Sequence, residues 1–345
     1  MTQTAPNHSM ATRSYQLRFL TPAFLGNAEQ RAQWRTPPFK ALLRQWWRVV
    51  YAAEHHFKVD LQAMRKAEGD LFGHAGLQHT SLRNEDSKQA RQSLLRMRLS
   101  PSPDPQRLGL GTQQGVQPLS PSPDTSYAWF GLIDSKDRTR DRTAISTNGL
   151  EGKRTLSLAF PAVFAREIEQ ACALIHALGL VGSRSRGGWG SIHLEPTPAL
   201  GPADLGGYAR DLETCLITDW AMSLSRDEQG LMIWESQALY SSWDQAMKAI
   251  ATLRKEVRTE LKVSPDLRFT LGFADKGQRM PSPLRWKPIQ LDNGQLTIRV
   301  FAMPHKIPEM AKQRFTNRDL SRTWRIVSQC LDERLTRAAQ QGAKA

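Results

Sequence analysis

The sequence predicts an α+β protein of two ferredoxin-like (RRM-like) β-α-β-β-α-β domains carrying inserted hairpins and loops. Three observations lead there: short runs of apolar and polar residues in alternation, longer stretches with apolar residues at helical spacing, and an order along the chain in which the two interleave. With 345 residues and a hydrophobic share of 40%, the chain is long enough for two cores. The boundary falls in a proline- and glycine-containing stretch, so 1–200 are read as the first domain and 201–345 as the second.

The elements follow in order. After a polar leader, Tyr15, Leu17 and Phe19 alternate with Gln16 and Arg18, which predicts a half-buried strand. Pro37 and Pro38 open a helix, since a proline in the first turn gives up only an N–H that has no partner there. Its core face carries Phe39, Leu42, Leu43, Trp46 and Val50. A glycine-punctuated turn is expected at 68–76 and a basic strand at 93–99. Leu-Ser-Pro-Ser-Pro-Asp then occurs twice, at 99–104 and 119–124; proline and serine cannot build a core, so 99–126 is expected to be a solvent-exposed insertion. Residues 127–133 and 156–160 read as strands. Phe164, Ile168, Ala171, Cys172, Ile175 and Leu178 mark a helix over 161–178 capped by Gly179, and a strand at 192–195 stops at Pro196. Beyond a linker at 196–207, the pattern predicts a helix over 243–261 and a strand over 267–271. Strands at 284–289 and 296–301 flank Asp292-Asn293-Gly294, a strong hairpin signal, and a final helix starts near 319.

Composition narrows the function classes. Lys+Arg of 47 against Asp+Glu of 33 gives a formal net charge of +14 and a pI near 10.0, which favours polyanionic partners. No apolar run reaches the ~18 residues of a membrane span, and 1–13 lack the apolar core of a signal peptide, so a cytoplasmic protein is expected. Cys172, Cys215 and Cys330 stand far apart, and neither a disulfide framework nor a zinc site is implied. His55 and His56 are consecutive, no H-E-x-x-H or G-x-S-x-G occurs, and no carboxylate cluster suggests two-metal chemistry. No metal and no cofactor are expected.

One stretch concentrates chemistry. Gly182, Ser183, Arg184, Ser185, Arg186, Gly187, Gly188, Trp189 and Gly190 combine anion-binding residue types. Glycines let backbone N–H groups approach a phosphate, arginines bind one bidentately, and a tryptophan can stack on a base. A helix precedes the loop and a strand follows it, the reverse of a P-loop, and Gly188 stands where the P-loop lysine would be. The alternative is a turn that merely lets a helix double back, which needs neither arginine nor tryptophan. A second candidate edge runs from Arg35 along the proline-opened helix, where Lys40, Arg44, Trp47 and Arg48 interleave basic and aromatic side chains with Tyr51. Alternatively, Trp47 and Tyr51 widen the buried stripe and the charges are a solvated face. Arg138 and Arg140, in the charge run 136–142, could lie along a nucleic-acid strand or form a solvated hairpin tip.

Several of these segments together resemble the RAMP superfamily of CRISPR-associated proteins and, within it, the Cmr subunits of type III-B RNA-targeting complexes, the first-numbered subunit above all. The resemblance is carried by 15–22 with Phe24-Leu25-Gly26, by Arg35 through Arg48 with its Trp46-Trp47 pair, by Glu68 with Leu71-Phe72-Gly73, by the glycine-rich loop 182–190, and by Ser282-Pro283-Leu284 with its hairpin. It implies two ferredoxin-like domains and a noncatalytic subunit contacting the 3′ part of the guide RNA or the guide–target duplex. Partners would be CRISPR guide RNA, target single-stranded RNA and other Cmr-type subunits, with cleavage left to those others. The alternatives are a metal-independent endoribonuclease processing CRISPR transcripts, with His55, His74 and Asp70 as its candidate groups, and a scaffold binding acidic protein partners.

Overall fold

The computed structural model describes residues 9–29, 31–76, 90–101, 127–132, 144–147, 152–198, 200, 202–275, 278–307 and 315–338. The first half comprises β1 (Met10–Phe19), α1 (Thr36–Glu54), α2 (Leu61–Phe72), β2 (Arg96–Leu99), β3 (Lys153–Pro161), α3 (Ala165–Leu178) and β4 (Ile192–Glu195). Its strands form one antiparallel sheet in the order β2-β3-β1-β4. The register sets Tyr15 opposite Leu156 and Leu17 opposite Leu194. Strand side chains alternate between faces, so Tyr15, Leu17, Phe19, Leu156, Leu158, Phe160, Ile192 and Leu194 are all buried, in one core with the apolar faces of α1 and α3.

In the second half, β5 (Ala209–Asp211), α4 (Leu212–Leu216), β6 (Leu224–Asp227) and β7 (Gly230–Leu231) make a small outer sheet and its helical turn. The main elements are β8 (Ile233–Glu235), α5 (Trp243–Glu260), a β9 (Phe273–Asp275) and β10 (Gln278–Met280) hairpin, β11 (Leu284–Gln290), β12 (Leu296–Ala302), α6 (Asn317–Asp332) and β13 (Thr336–Arg337). The sheet β11-β12-β8-β13 is antiparallel. Counting each half's main-sheet strands in chain order, both sheets run second, third, first, fourth. The two cores interlock. Phe24 and Trp189 pack into the second, while Phe301 and Met303 belong to the first, where Trp46 of α1 meets the Phe301 ring with centroids 6.4 Å apart.

Four expectations need correction. Residues 127–133 do not form the expected strand among the described positions: 127–129 are helical, Leu132 N–H closes a turn on the Trp129 carbonyl, and Gly131 at φ 80° breaks the run. Leu267–Leu271 is a 3-10 turn, because Asp266 caps it by accepting from Arg268 N–H at 3.1 Å; Leu267, Thr270 and Leu271 are buried while Phe269 faces out, a spacing no strand produces. The glycine turn at 68–76 is largely the end of α2, started by Asp60, whose carboxylate accepts from Gln62 N–H, and stopped by Gly73 at φ 78°. The linker 196–207 overlaps a 3-10 segment, Pro202–Tyr208. Most of the insertion 99–126 and all of 136–142, with Arg138 and Arg140, lie outside the described residues. No helix among the described residues is long and apolar enough to cross a membrane.

Candidate nucleic-acid interface

The glycine-rich loop is held from both ends. Past α3, Val181 N–H bonds to the Gly190 carbonyl at 3.0 Å and closes the loop's neck. Ser183 N–H donates to Phe24 O and Gly190 N–H to Pro22 O, each at 3.0 Å. Buried Thr21 donates from Oγ1 to Gly188 O at 2.7 Å and accepts from Ser191 N–H at 3.0 Å. Between these staples the Ser185–Gly187 turn sits between two left-handed residues, Arg184 at φ 58° and Gly188 at φ 107°. A left-handed non-glycine residue costs about 1–2 kcal/mol, so the surrounding bonds hold Arg184 in a conformation it would not choose alone.

The loop's glycines and tryptophan serve the protein, contrary to the sequence expectation. A Cβ on Gly182 would stand 2.8 Å from Phe24 O, on Gly187 2.8 Å from Arg254 Nη1, and on Gly188 2.9 Å from Met247 Sδ, while on Gly190 it would overlap the Val181 carbonyl oxygen. The room that these four residues leave is filled by backbone and by α5. Trp189 is wholly buried, its ring centroid 5.3 Å from Phe24 and 4.7 Å from Trp129, and its Nε1 donates to Ala128 O at 3.0 Å. Swinging that ring out would forfeit about 3–5 kcal/mol of packing for the ~1–3 kcal/mol of one stacked base, so Trp189 is a core residue.

The two arginines leave the loop in different directions. Ser183 and Arg184 are exposed, whereas Ser185 and Arg186 are half-buried. Arg184 carries its guanidinium over the Phe130 ring, 5.4 Å from the centroid. Close by, Arg254 lies over the Tyr127 ring at 5.0 Å, and burial, with Arg258 and Arg184 adding, holds its pKa below the ordinary arginine value. Arg186 instead donates from Nη1 to Ser282 O at 2.8 Å, tying the loop to the start of β11, and burial lowers its pKa. Next to it, burial first and Arg186 second push Arg285 down to about 9.

The α1 edge is also partly consumed by the fold. Trp47 is 1% exposed and donates from Nε1 to Glu167, so it widens the buried stripe and offers no face to a base. Arg44 Nε reaches Glu68 Oε1 at 2.6 Å and Arg48 Nη2 the same oxygen at 2.7 Å, a clamp around a buried carboxylate of α2. Burial alone would raise the Glu68 carboxyl, but Arg48 and Arg44 outweigh it and hold it below 4.5. The clamp's stabilisation is therefore complete above that ordinary value and lost as pH falls through the lower folded one. Glu68→Gln is expected to lower stability by about 1–2 kcal/mol, less than a fully buried pair because both arginine ends are screened by water. A urea midpoint equal to wild type at neutral pH would refute the clamp. Lys40 is half-buried, its pKa lowered by burial and then by Arg44, and Arg35 donates from Nη2 to Gly26 O at 2.6 Å.

Other cations that sequence reasoning passed over build the seam between the two sheets. Wholly buried Lys287 donates from Nζ to Gly179 O at 2.8 Å and Ile192 O at 2.7 Å, and Arg299 Nη1 donates to Ala177 O at 3.0 Å. Gly179 and Ala177 lie at the C-terminal end of α3, where the helix dipole favours positive charge. Burial, then Lys287, push His176 down to about 3. Of the groups considered for nuclease chemistry, His55 stands apart, stacked on Tyr51 at 4.0 Å, whereas His74 and Asp70 share a neighbour: His74 exchanges backbone hydrogen bonds with Arg91, and Asp70 pairs with Arg91 and Lys66. The His74 Nδ1 accepts from Gly76 N–H at 3.3 Å. No three His, Cys, Asp or Glu side chains among the described residues are placed to hold a metal ion.

A family model described as the RAMP superfamily matches residues 16–193. No curated protein matches the chain. Among solved structures, the chain is similar to Cmr1 from Pyrococcus furiosus in its apo form, at 18% identity and a TM-score of 0.49, covering 93% of this chain and 97% of that one. It is also similar to a chain in the cryo-EM structure of the type III-B Cmr-beta bound to cognate target RNA, at 11% identity and a TM-score of 0.49, covering 93% of this chain and 99% of that one.

Proposed function

Because the chain belongs to the RAMP superfamily, we propose that it is a noncatalytic, cytoplasmic RNA-binding subunit of a type III-B CRISPR (Cmr) complex, contacting the 3′ part of the guide RNA or the guide–target duplex. With it we assign two ferredoxin-like domains, 1–200 and 201–345, supported by the strand order that the two main sheets share. One observation carries the RNA reading: the stapled glycine-rich loop presents exposed Arg184 over the Phe130 ring, with Arg254 packed against Gly187 of the same loop and over Tyr127, on a chain of net charge +14. Such a rigid cationic site suits a phosphate backbone, because its charges are already gathered before the anion arrives.

The test is end-labelled single-stranded CRISPR RNA with the purified protein across a salt series, with and without EDTA. Salt-sensitive binding of RNA that stays intact is the expected result. Arg184→Ala should flatten the log–log salt slope by about 0.7, the share of one phosphate on a single strand, equally for all sequences. Arg186→Ala should move thermal stability more than the slope, since that guanidinium is spent on the Ser282 carbonyl. Discrete cleavage surviving EDTA would overturn the noncatalytic reading in favour of an endoribonuclease. Tight assembly with other subunits and no RNA binding at all would favour the scaffold.

A further inference from the structure

Phe130 is 70% exposed, the most open aromatic ring among the exposed large hydrophobic residues described. Its exposure is not that of a frayed segment. Ala128, Trp129 and Leu132 around it are 4%, 3% and 0% exposed, Leu132 N–H bonds back to Trp129 O at 2.8 Å, and Trp189 Nε1 grips the Ala128 carbonyl. The short turn is thus nailed into the second core on both sides of Phe130, and the one side chain between the nails points outward.

The environment of that ring has a definite chemistry. Arg184 lies over it at 5.4 Å, and its guanidinium occupies the place a Cβ would take on Gly131, which stands at φ 80°. Tyr127 under Arg254 forms a second aromatic–cation pair one helical turn away. An isolated exposed aromatic costs solubility; one backed by a guanidinium, with a second arginine on the neighbouring ring, matches a ligand with both a π-face and a negative backbone. Single-stranded nucleic acid is that ligand, since stacking on aromatic rings is tolerant of base identity while arginines hold the phosphates.

We infer that the Phe130 ring, backed by the Arg184 guanidinium, is a stacking platform for an unpaired nucleobase of single-stranded RNA, an assignment that rests on the RNA-binding reading. The role expected of Trp189 falls to Phe130, and Trp189 anchors the turn that presents it.

The experiment compares wild-type protein, Phe130→Ala, Phe130→Leu and Phe130→Trp on a short oligouridylate and on the same backbone with abasic positions. Phe130→Ala should weaken oligouridylate binding about tenfold, within the range of one lost stack, with the salt slope unchanged. Phe130→Leu, apolar without a π-face, should behave like alanine, and Phe130→Trp should restore binding. All four proteins should bind the abasic strand equally and melt at the same temperature, since the ring is largely outside the core. Equal oligouridylate affinity for wild type and Phe130→Ala overturns the platform while leaving RNA binding intact. Absence of oligouridylate binding by wild type overturns the RNA reading and the platform together.

Discussion

Gly190→Ala is expected to destabilise the protein by about 3 kcal/mol or more, a melting-temperature loss of roughly 6 °C or more. Two separate costs combine. Gly190 stands at φ 64°, a left-handed conformation costing any other residue about 1–2 kcal/mol. The added methyl would also overlap the carbonyl oxygen of Val181, the residue whose N–H donates to Gly190 O across the loop neck. Backbone cannot swing aside as a side chain can, so the neck must open, and with it the staple from Gly190 N–H to Pro22 O. Gly294→Ala is the matched control, because Gly294 is also left-handed, at φ 83°, but a Cβ there meets nothing within 4 Å. It should cost only the conformational part. Calorimetry on both variants decides the matter: equal losses would mean that the glycine-rich loop is not packed as described. RNA binding by the Gly190 variant should fall with its stability, since Arg184 is aimed by the loop.

Much of this fold was legible because its elements obey local rules. The α1 stripe of Phe39, Leu42, Leu43, Trp46 and Val50 is buried as its spacing requires, and the Asp292-Asn293-Gly294 turn joins β11 to β12. What stayed hidden was tertiary. A tryptophan between glycines and arginines satisfies a base and a core equally well on paper, and only the partners of Trp189, at positions 24, 128, 129 and 243, decide between them. The same holds for Arg44 and Arg48, whose neutralising Glu68 lies a helix away, and for Trp47, whose acceptor Glu167 is on α3. Residues 127–133 misled for a different reason: an unbroken apolar run has no period, and the sign of turning rests on Gly131 alone. Phe130 carried a faint signal, being a large ring directly before a glycine in a basic chain, but its exposure is a property of the anchors beside it.

Arg337→Met should cost about 3–5 kcal/mol at neutral pH, the range for breaking a buried ion pair from one side. Arg337 is 7% exposed and closes β13 onto β8, with Nη2 2.9 Å from both Asp227 Oδ2 and Asp332 Oδ2 and its guanidinium 5.2 Å from the centroid of the Trp234 ring. Removing it leaves two carboxylates facing a methionine, one on β6 and one at the end of α6, and the last strand loses its fastening to the main sheet. The pH dependence identifies the cause. Burial would raise the Asp227 carboxyl, but its hydrogen bonds and charge pairing with Arg337 win and hold it below 3.8. Its contribution is therefore fully present above that ordinary value and is lost as pH falls through the lower folded value. The stability gap between wild type and Arg337→Met, from urea unfolding, should be constant near neutrality and narrow in acid below that ordinary value. A gap that ignores pH would mean that methionine fails by shape alone. The double variant Asp227→Asn with Arg337→Met should be more stable than the sum of the two singles predicts, because one of the abandoned charges goes with the arginine. Strict additivity would show that Asp227 and Arg337 do not act as a pair, and would leave Asp332 as the arginine's working partner.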